Sequence, residues 1–143
     1  MKNIRNWKKY TFVGLDTNVF SYHLHQDPLF GHIAKEIFDL LSIGQLQAVT
    51  SIITLIEILS VKAPANKIKG LKELFSEIPN LKTVEVNSAI AIKAAEIRRT
   101  YGFRTPDAIQ LATAIYEKAD VFITNDEKLT RCKGVKILLI PSL

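Results

Sequence analysis

Four acidic residues stand beside apolar segments, where a folded chain rarely places an ionised group. Glu57 is the only charged residue between positions 51 and 61, and no Lys or Arg lies within one helical turn of it. A carboxylate taken out of water without a partner costs several kcal/mol. Asp16 and Asp126 follow apolar segments, and Asp107 begins another. Metal ions are the simplest compensation for four such carboxylates, which predicts metal-assisted phosphodiester chemistry.

Short apolar segments alternate with segments of helical periodicity along the chain. Strands are predicted at residues 12–15, 45–50, 81–86, 121–124 and 136–140. Helices are predicted at residues 17–23, 29–43, 67–78 and 87–100, with a buried helix at 51–61, a helix beginning at 105 and a short one at 126–130. Thr17 or Asn18, Asn87 and Thr105 are the expected helix caps. This alternation predicts one α/β domain, with a central parallel sheet of about five strands flanked by helices.

The predicted topology brings the four acids to one edge of the sheet. Functional groups collect at the carboxyl ends of parallel strands. Asp16 directly follows the first strand, and Asp126 comes two residues after the fourth. The helix that starts near Asp107 leads into the fourth strand, and Glu57 is expected on the inward face of the helix after the second. Carboxylate oxygens suit Mg²⁺ or Mn²⁺ rather than zinc.

An alternative explanation exists for three of these acids. Asp16, Asp107 and Asp126 lie at or near predicted helix N-termini, where an anion is stabilised by about 0.3–1 kcal/mol. That explanation does not cover Glu57, which is predicted in mid-helix among apolar neighbours. The three histidines lack the spacing of a zinc site, so we expect them to be solvated or hydrogen-bonded elsewhere.

Composition narrows the class of protein. The 143 residues suffice for one domain with one core, and 19 basic against 14 acidic side chains give a net charge of +5. A basic surface attracts polyanions such as nucleic acids, although each basic cluster alone could be ordinary solvated surface. No apolar run approaches the ~18–20 residues of a membrane span, and the apolar residues 12–15 are too few for a signal peptide. With the single Cys132, this predicts a cytoplasmic protein without membrane contact.

Four segments together resemble the conserved blocks of the PIN domain. They are residues 15–20 (LDTNVF), 56–59 (IEIL), 105–114 (TPDAIQLATA) and 123–126 (ITND), and their order and spacing match over residues 12–140. The most similar subgroup is the VapC-like toxins of toxin–antitoxin pairs. The resemblance implies a Rossmann-like parallel sheet and an Mg²⁺- or Mn²⁺-dependent ribonuclease. Residues 12–143 would then form the nuclease domain, after a basic extension at residues 1–11.

The resemblance also implies roles for individual residues. Asp16, Glu57 and Asp107 match the three core acidic positions, and Asp126 matches the fourth. Thr124 matches a Ser/Thr position whose hydroxyl assists the metal shell or the water. Asn18, Asn125 and Thr17 are expected to hold a phosphate or a water beside the metal. In the extension, Trp7 and Tyr10 either stack on bases or, as we expect, pack against the domain.

The function implied is an endoribonuclease that cleaves RNA phosphodiester bonds with metal-activated water. Single-stranded or loop RNA is the expected target, since an RNA duplex hides its bases in a groove that side chains cannot read. A homodimer and a cognate antitoxin are implied by the resemblance alone. Two alternatives stay open: a non-catalytic RNA-binding or scaffold PIN module, and a phosphatase of the haloacid dehalogenase type. The phosphatase type requires a second Asp at the position of Asn18.

Overall fold

Five parallel strands form the centre of the molecule in the computed structural model, which describes residues 6–143. They are β1 (Phe12–Leu15), β2 (Gln47–Ser51), β3 (Leu81–Val84), β4 (Val121–Thr124) and β5 (Lys136–Leu139). Their order across the sheet is β3-β2-β1-β4-β5, and every neighbouring pair is parallel. The predicted α/β domain with a five-stranded parallel sheet is confirmed. The expectations for residues 1–5 of the basic extension lie outside the described residues.

Six α-helices cover the sheet. They are α1 (Thr17–Leu24), α2 (Gly31–Ser42), α3 (Ile53–Leu59), α4 (Ala65–Ser76), α5 (Ser88–Tyr101) and α6 (Thr105–Tyr116), with 3₁₀ turns at Asn6–Lys9, Glu127–Arg131 and Ile140–Ser142. Among residues 6–143, no helix is both long enough and apolar enough to span a membrane.

Each face of the sheet has its own apolar cluster, because successive strand residues point to opposite faces. Val121 and Ile123 belong to the first cluster, with the buried residues of α1, α2 and α4. Phe122 belongs to the second, with those of α5 and α6. Trp7 is 4% exposed in the first cluster and Tyr10 packs against it. The expected packing of both is confirmed, and base stacking by Trp7 is excluded.

Two of the predicted helix caps are wrong. The N-cap of α1 is Asp16, whose Oδ1 accepts a hydrogen bond from the Thr17 amide at 2.8 Å. The N-cap of α6 is Arg104, which makes no side-chain capping bond. The Asn87 cap of α5 is confirmed, since its side chain accepts from the Ile90 amide. An acidic cap at α1 therefore ties one of the four carboxylates to the end of β1.

The helix predicted at residues 51–61 is confirmed within shorter bounds, but its predicted burial is wrong. The apolar run joins the end of β2 to the short helix α3, in which only Thr54 and Ile58 are buried. Ile56 is 61% exposed, and Glu57 is exposed as well. A continuous apolar run cannot distinguish two short elements from one buried helix, which is why its periodicity misled. The expectation that Glu57 is buried in an apolar helix is therefore not met.

Candidate active site

The buried part of the site lies where β1 and β4 end side by side. Asp16 is 7% exposed, and its Oδ2 accepts a hydrogen bond from Thr124 Oγ1 at 2.7 Å. The Asp16 amide donates to the Ile123 carbonyl at 3.0 Å, which keeps the two strand ends in register. Sheet pairing therefore places the hydroxyl of Thr124 beside the first acid.

Burial raises the pKa of Asp16 to about 6. The negative charges of Asp107 and Glu57 act in the same direction, and the hydrogen bonds from Thr124 and Thr17 oppose them only in part. All these hydrogen-bond donors are neutral. The carboxylate thus lies in a place that favours an added positive charge.

Asp107 lies in the first turn of α6 and is 8% exposed. Its Oδ2 accepts a hydrogen bond from Arg104 Nε at 3.2 Å, and Arg104 itself is largely exposed. The bond to Asp107 raises the pKa of the Arg104 guanidinium, so that group keeps its charge. Arg104 had not been singled out from the sequence. Its spacing of three residues before an acid on the same helix was the available signal.

Glu57 reaches the site from the exposed helix α3. Its Oε1 accepts a hydrogen bond from Thr17 Oγ1 at 2.7 Å. Thr17 was expected to hold a phosphate or a water. In the structure, its hydroxyl instead fixes a neighbouring carboxylate and joins α1 to α3.

A buried polar network lies beneath Thr17. Gln110 is 2% exposed, and its Nε2 lies 3.3 Å from Thr17 Oγ1 and 2.7 Å from Thr54 Oγ1. The Gln110 Oε1 accepts from the Ser51 amide at 3.3 Å, and the hydroxyls of Thr50 and Thr54 are 2.6 Å apart. The network links α6, α3 and β2 below the acids. Its signal in the sequence, an amide within an otherwise apolar helical stretch, was overlooked.

Asp126 caps the 3₁₀ turn that follows β4. Its Oδ1 accepts from the Lys128 amide at 3.1 Å, and its own amide donates to Thr124 Oγ1 at 3.0 Å. The side chain is one-quarter exposed. The backbone after β4 therefore brings a fourth carboxylate next to the hydroxyl that already holds Asp16.

The two asparagines make different contacts. Asn18 Nδ2 lies 3.3 Å from Thr124 Oγ1 and 3.4 Å from Asp16 Oδ2, and its Oδ1 accepts from the Asn125 amide at 3.3 Å. Asn18 thus bridges the ends of β1 and β4. The side-chain amide of Asn125 donates to the Tyr22 hydroxyl at 2.7 Å, which ties it to α1.

All four acids line one cleft of about 280 Å³ at the carboxyl edge of the sheet. Its lining residues are Asp16, Thr17, Asn18, Ser21, Glu57, Arg104, Asp107 and Asp126. The structure therefore brings together every acid singled out from the sequence. It adds Ser21 and Arg104, which sequence reasoning had not assigned to the site.

The chemistry of the cleft fits a hard divalent cation. Its acidic side chains offer only oxygen ligands. The buried Asp16 lies among neutral hydrogen-bond donors and other negative charges. Within residues 6–143, no group of three or more His, Cys, Asp and Glu side chains is arranged to hold a metal ion by itself. Mg²⁺ is commonly bound through one or two carboxylates together with waters and substrate phosphates. Asp16 with one of the other acids could hold such an ion in this way, and the remaining acids could contact it through water.

Comparison with known proteins identifies the family and finds similar folds. The family model described as the PIN domain matches residues 13–135. VapBC2 from Rickettsia felis, solved with a DNA fragment from its promoter, aligns with a TM-score of 0.72 at 18% identity, over 90% of this chain and 98% of that one. DNA-bound VapBC from Salmonella typhimurium aligns with a TM-score of 0.69 at 23% identity, over 92% and 98%. A toxin–antitoxin complex from Klebsiella pneumoniae gives 0.67 at 22%, over 91% and 97%. No curated protein sequence matches the chain.

Proposed function

Because the chain belongs to the PIN domain family, we propose that it is an Mg²⁺- or Mn²⁺-dependent endoribonuclease. The observation that carries the proposal is the convergence of Asp16, Glu57, Asp107 and Asp126 on one cleft. A bound divalent cation supplies a more acidic water and neutralises charge on the phosphodiester. The roles of the protein's own residues follow from their contacts.

The buried pair would set the position of the cation. Asp16 is fixed by Thr124 and by the start of α1, and Asp107 by the first turn of α6 and by Arg104. Because the pKa of Asp16 is raised to about 6, we expect a bound cation to favour its ionised form further.

The exposed pair would act nearer the attacking water. Glu57 uses Oε1 to accept from Thr17, and no hydrogen bond from residues 6–143 engages its Oε2. That oxygen is free to accept a proton from the water. Asp126 uses Oδ1 for the Lys128 amide, and its Oδ2, which lies 4.0 Å from Lys128 Nζ, could contact the cation or a water. We assign to Thr124, Asn18 and Thr17 the task of orienting these carboxylates, and to Asn125 that of supporting Asn18 through its amide.

RNA is the proposed substrate, and single-stranded or loop RNA the proposed form. The net charge of +5 suits a polyanionic substrate, and the exposed Arg104 beside Asp107 supplies a cation at the cleft itself. Bases that are not paired can reach side chains, whereas bases in an RNA duplex cannot.

The biological setting we propose is a toxin–antitoxin pair in the cytoplasm. The similar structures named above are VapBC and toxin–antitoxin complexes. By analogy, this chain would be the toxin, form a homodimer and bind a cognate antitoxin. We assign the nuclease to residues 12–143 and the basic extension to residues 1–11, of which Trp7 packs into the core.

Cleavage of a mixed set of structured RNAs by purified protein tests the proposal. The reactions contain Mg²⁺, Mn²⁺ or a chelator, and compare the wild type with Asp107→Asn. Asp39→Asn is the matched control, since Asp39 is an exposed acid on α2 away from the cleft. We expect metal-dependent cleavage by the wild type and by Asp39→Asn, and none by Asp107→Asn.

Other results would redirect the proposal. RNA binding without cleavage, and without an effect of metal on the melting temperature, would support the non-catalytic scaffold. Cleavage that persists in Asp107→Asn would contradict the assignment of the site. To remove any bound inhibitor, the protein is unfolded and refolded before the assay.

A further inference from the structure

Four cations are connected to the edge of the acidic cleft: Arg104 lines it, Lys128 lies 4.0 Å from Asp126, and Arg98 and Arg131 contact Phe103, the residue before Arg104. The group, called here the arginine wall, consists of Arg98, Arg104, Lys128 and Arg131. We propose that the arginine wall binds the phosphate backbone of the RNA strand and fixes the path by which it enters the cleft. This inference rests on the proposed function for the identity of the ligand.

The members of the wall are joined through the segment between α5 and α6. Arg98 Nε donates to the Phe103 carbonyl at 3.1 Å. The Arg131 guanidinium lies 5.6 Å from the centre of the Phe103 ring. Arg104 follows next in the chain and contacts Asp107 in the cleft. Three arginines therefore adjoin Phe103, and one of them, Arg104, lines the cleft.

The other end of the wall is tied to the cleft through the 3₁₀ turn Glu127–Arg131. That turn begins at its N-cap Asp126, which lines the cleft. Lys128 and Arg131 belong to the same turn, and Lys128 Nζ is 4.0 Å from an Asp126 oxygen. A strand lying on these cations would thus continue directly past the candidate metal ligands.

Arg131 is held in place before any ligand arrives. Its guanidinium donates to the Tyr101 carbonyl at 3.2 Å and lies 6.0 Å from the centre of the Tyr101 ring. The Tyr101 and Phe103 rings are themselves stacked, 5.2 Å apart at 15°. A guanidinium has five N–H donors, so others remain for a phosphate. Because the side chain is already ordered, less rotamer entropy is lost when it binds.

Two members of the wall have no acidic partner, whereas Arg104 pairs with Asp107 and Lys128 Nζ lies 4.0 Å from Asp126. Within residues 6–143, no carboxylate lies within 4.0 Å of Arg98 or Arg131. Helix α3, which brings Glu57 to the cleft, carries no cation and exposes Ile56. The cations that adjoin the cleft thus come from the segment between α5 and α6 and from the turn after β4.

Salt-dependent RNA binding tests the wall without requiring catalysis. A fluorescent single-stranded RNA of mixed sequence is titrated with protein in chelator, at several salt concentrations. The variants are Arg98→Gln, Arg131→Gln and the double variant, in which Gln keeps part of the side-chain stem. Lys69→Gln is the control, because it removes one charge from an exposed position on α4, which contributes no residue to the cleft.

We expect each single variant to bind RNA about threefold more weakly, as for the loss of one exposed charge contact. Binding to single strands varies with salt by about 0.7 in log–log slope per phosphate contact. The slope should therefore fall by about 0.7 in each single variant and about 1.4 in the double variant. Lys69→Gln should keep the wild-type slope. Lys128→Gln, whose side chain does not pack on the rings, repeats the test if Arg131→Gln lowers the melting temperature.

Three results would overturn the inference. One is a double variant whose slope and affinity match Lys69→Gln. A second is a wild type that shows no salt-dependent RNA binding. A third is a double variant that no longer binds a polyglutamate peptide, which the wild type binds, but still binds RNA as the wild type does. That result would assign the wall to an acidic protein. A protein that binds RNA through the wall but never cleaves it would instead support the wall and contradict the nuclease.

Discussion

The acidic cleft has two halves, which differ in burial and in the contacts that hold their carboxylates. Asp16 and Asp107, the buried half, are 7% and 8% exposed, and the sheet and α6 fix them. Glu57 and Asp126, the exposed half, are held by the Thr17 hydroxyl and by a 3₁₀ turn. Burial raises the pKa of Asp16, so its carboxylate lowers the stability of the metal-free fold at neutral pH. In the proposed site, the half that contains this carboxylate would set the position of the cation.

The largest expected difference is in catalysis. Asp16→Asn should lower the rate of RNA cleavage by at least about a thousandfold, because stabilisation of several kcal/mol depends on the cation that Asp16 would hold. Glu57→Gln should lower it less, by about a hundredfold, since the exposed side chain can be replaced in part by water. Single-turnover rates at the Mn²⁺ concentration that saturates the wild type measure both. Equal losses would remove the distinction between the halves.

Stability should change in the opposite direction. In chelator at pH 7, Asp16→Asn should raise the free energy of unfolding by up to about 3 kcal/mol, because the amide needs no counter-charge. Glu57→Gln should change it by less than about 0.5 kcal/mol, as at other exposed positions. Urea unfolding of the three proteins provides the comparison. A less stable Asp16→Asn would mean that its carboxylate is already compensated in the metal-free fold.

The pH dependence of stability should also show the contribution of Asp16. The folded protein binds the Asp16 proton more tightly than the unfolded chain does, since the pKa is about 6 instead of 3.8. The contribution of Asp16 is therefore most favourable below pH 3.8 and is lost as the pH rises to about 6. The difference in unfolding free energy between Asp16→Asn and wild type should grow over this interval. A constant difference would contradict the raised pKa.

A smaller effect is expected at Thr17, which joins Glu57 in the exposed half to the buried network around Gln110. Thr17→Val removes the donor to Glu57 and the acceptor for Gln110. It should cost about 1–2 kcal/mol of stability and weaken Mn²⁺ binding about tenfold. Thr17→Ser should restore the binding, because the hydroxyl returns. If Val and Ser bind Mn²⁺ equally well, Thr17 does not position Glu57.

The smallest effect concerns the outer face of α3. Ile56→Ala should cost less than about 0.5 kcal/mol, because Ile56 is 61% exposed. Ile58→Ala, on the same helix but 4% exposed, should cost about 2–5 kcal/mol. Denaturant unfolding of the two variants measures the contrast. A large cost at Ile56 would show that its side chain is covered, for example in a homodimer.

Much of the fold could be predicted because its strands are short apolar runs bounded by polar residues. The places of Asp16 and Asp126 followed directly, since both come just after a strand. The exposure of Glu57 could not be predicted, because residues 51–61 read as one apolar helix while β2 ends inside that run. The role of Gln110 was equally hidden. Its place in an apolar helical stretch was a signal, but the groups on β2 and α3 that it contacts are known only from the fold.

The most direct test of the divalent site is a calorimetric titration of Mn²⁺ into the wild type, Asp39→Asn and Asp16→Asn. The last variant is informative because it is expected to be more stable than the wild type, so that lost binding cannot be due to unfolding. We predict saturable binding by the wild type and Asp39→Asn, with a raised melting temperature, and none by Asp16→Asn. Equal binding of Mn²⁺ by all three proteins would contradict a divalent site built on the buried carboxylate.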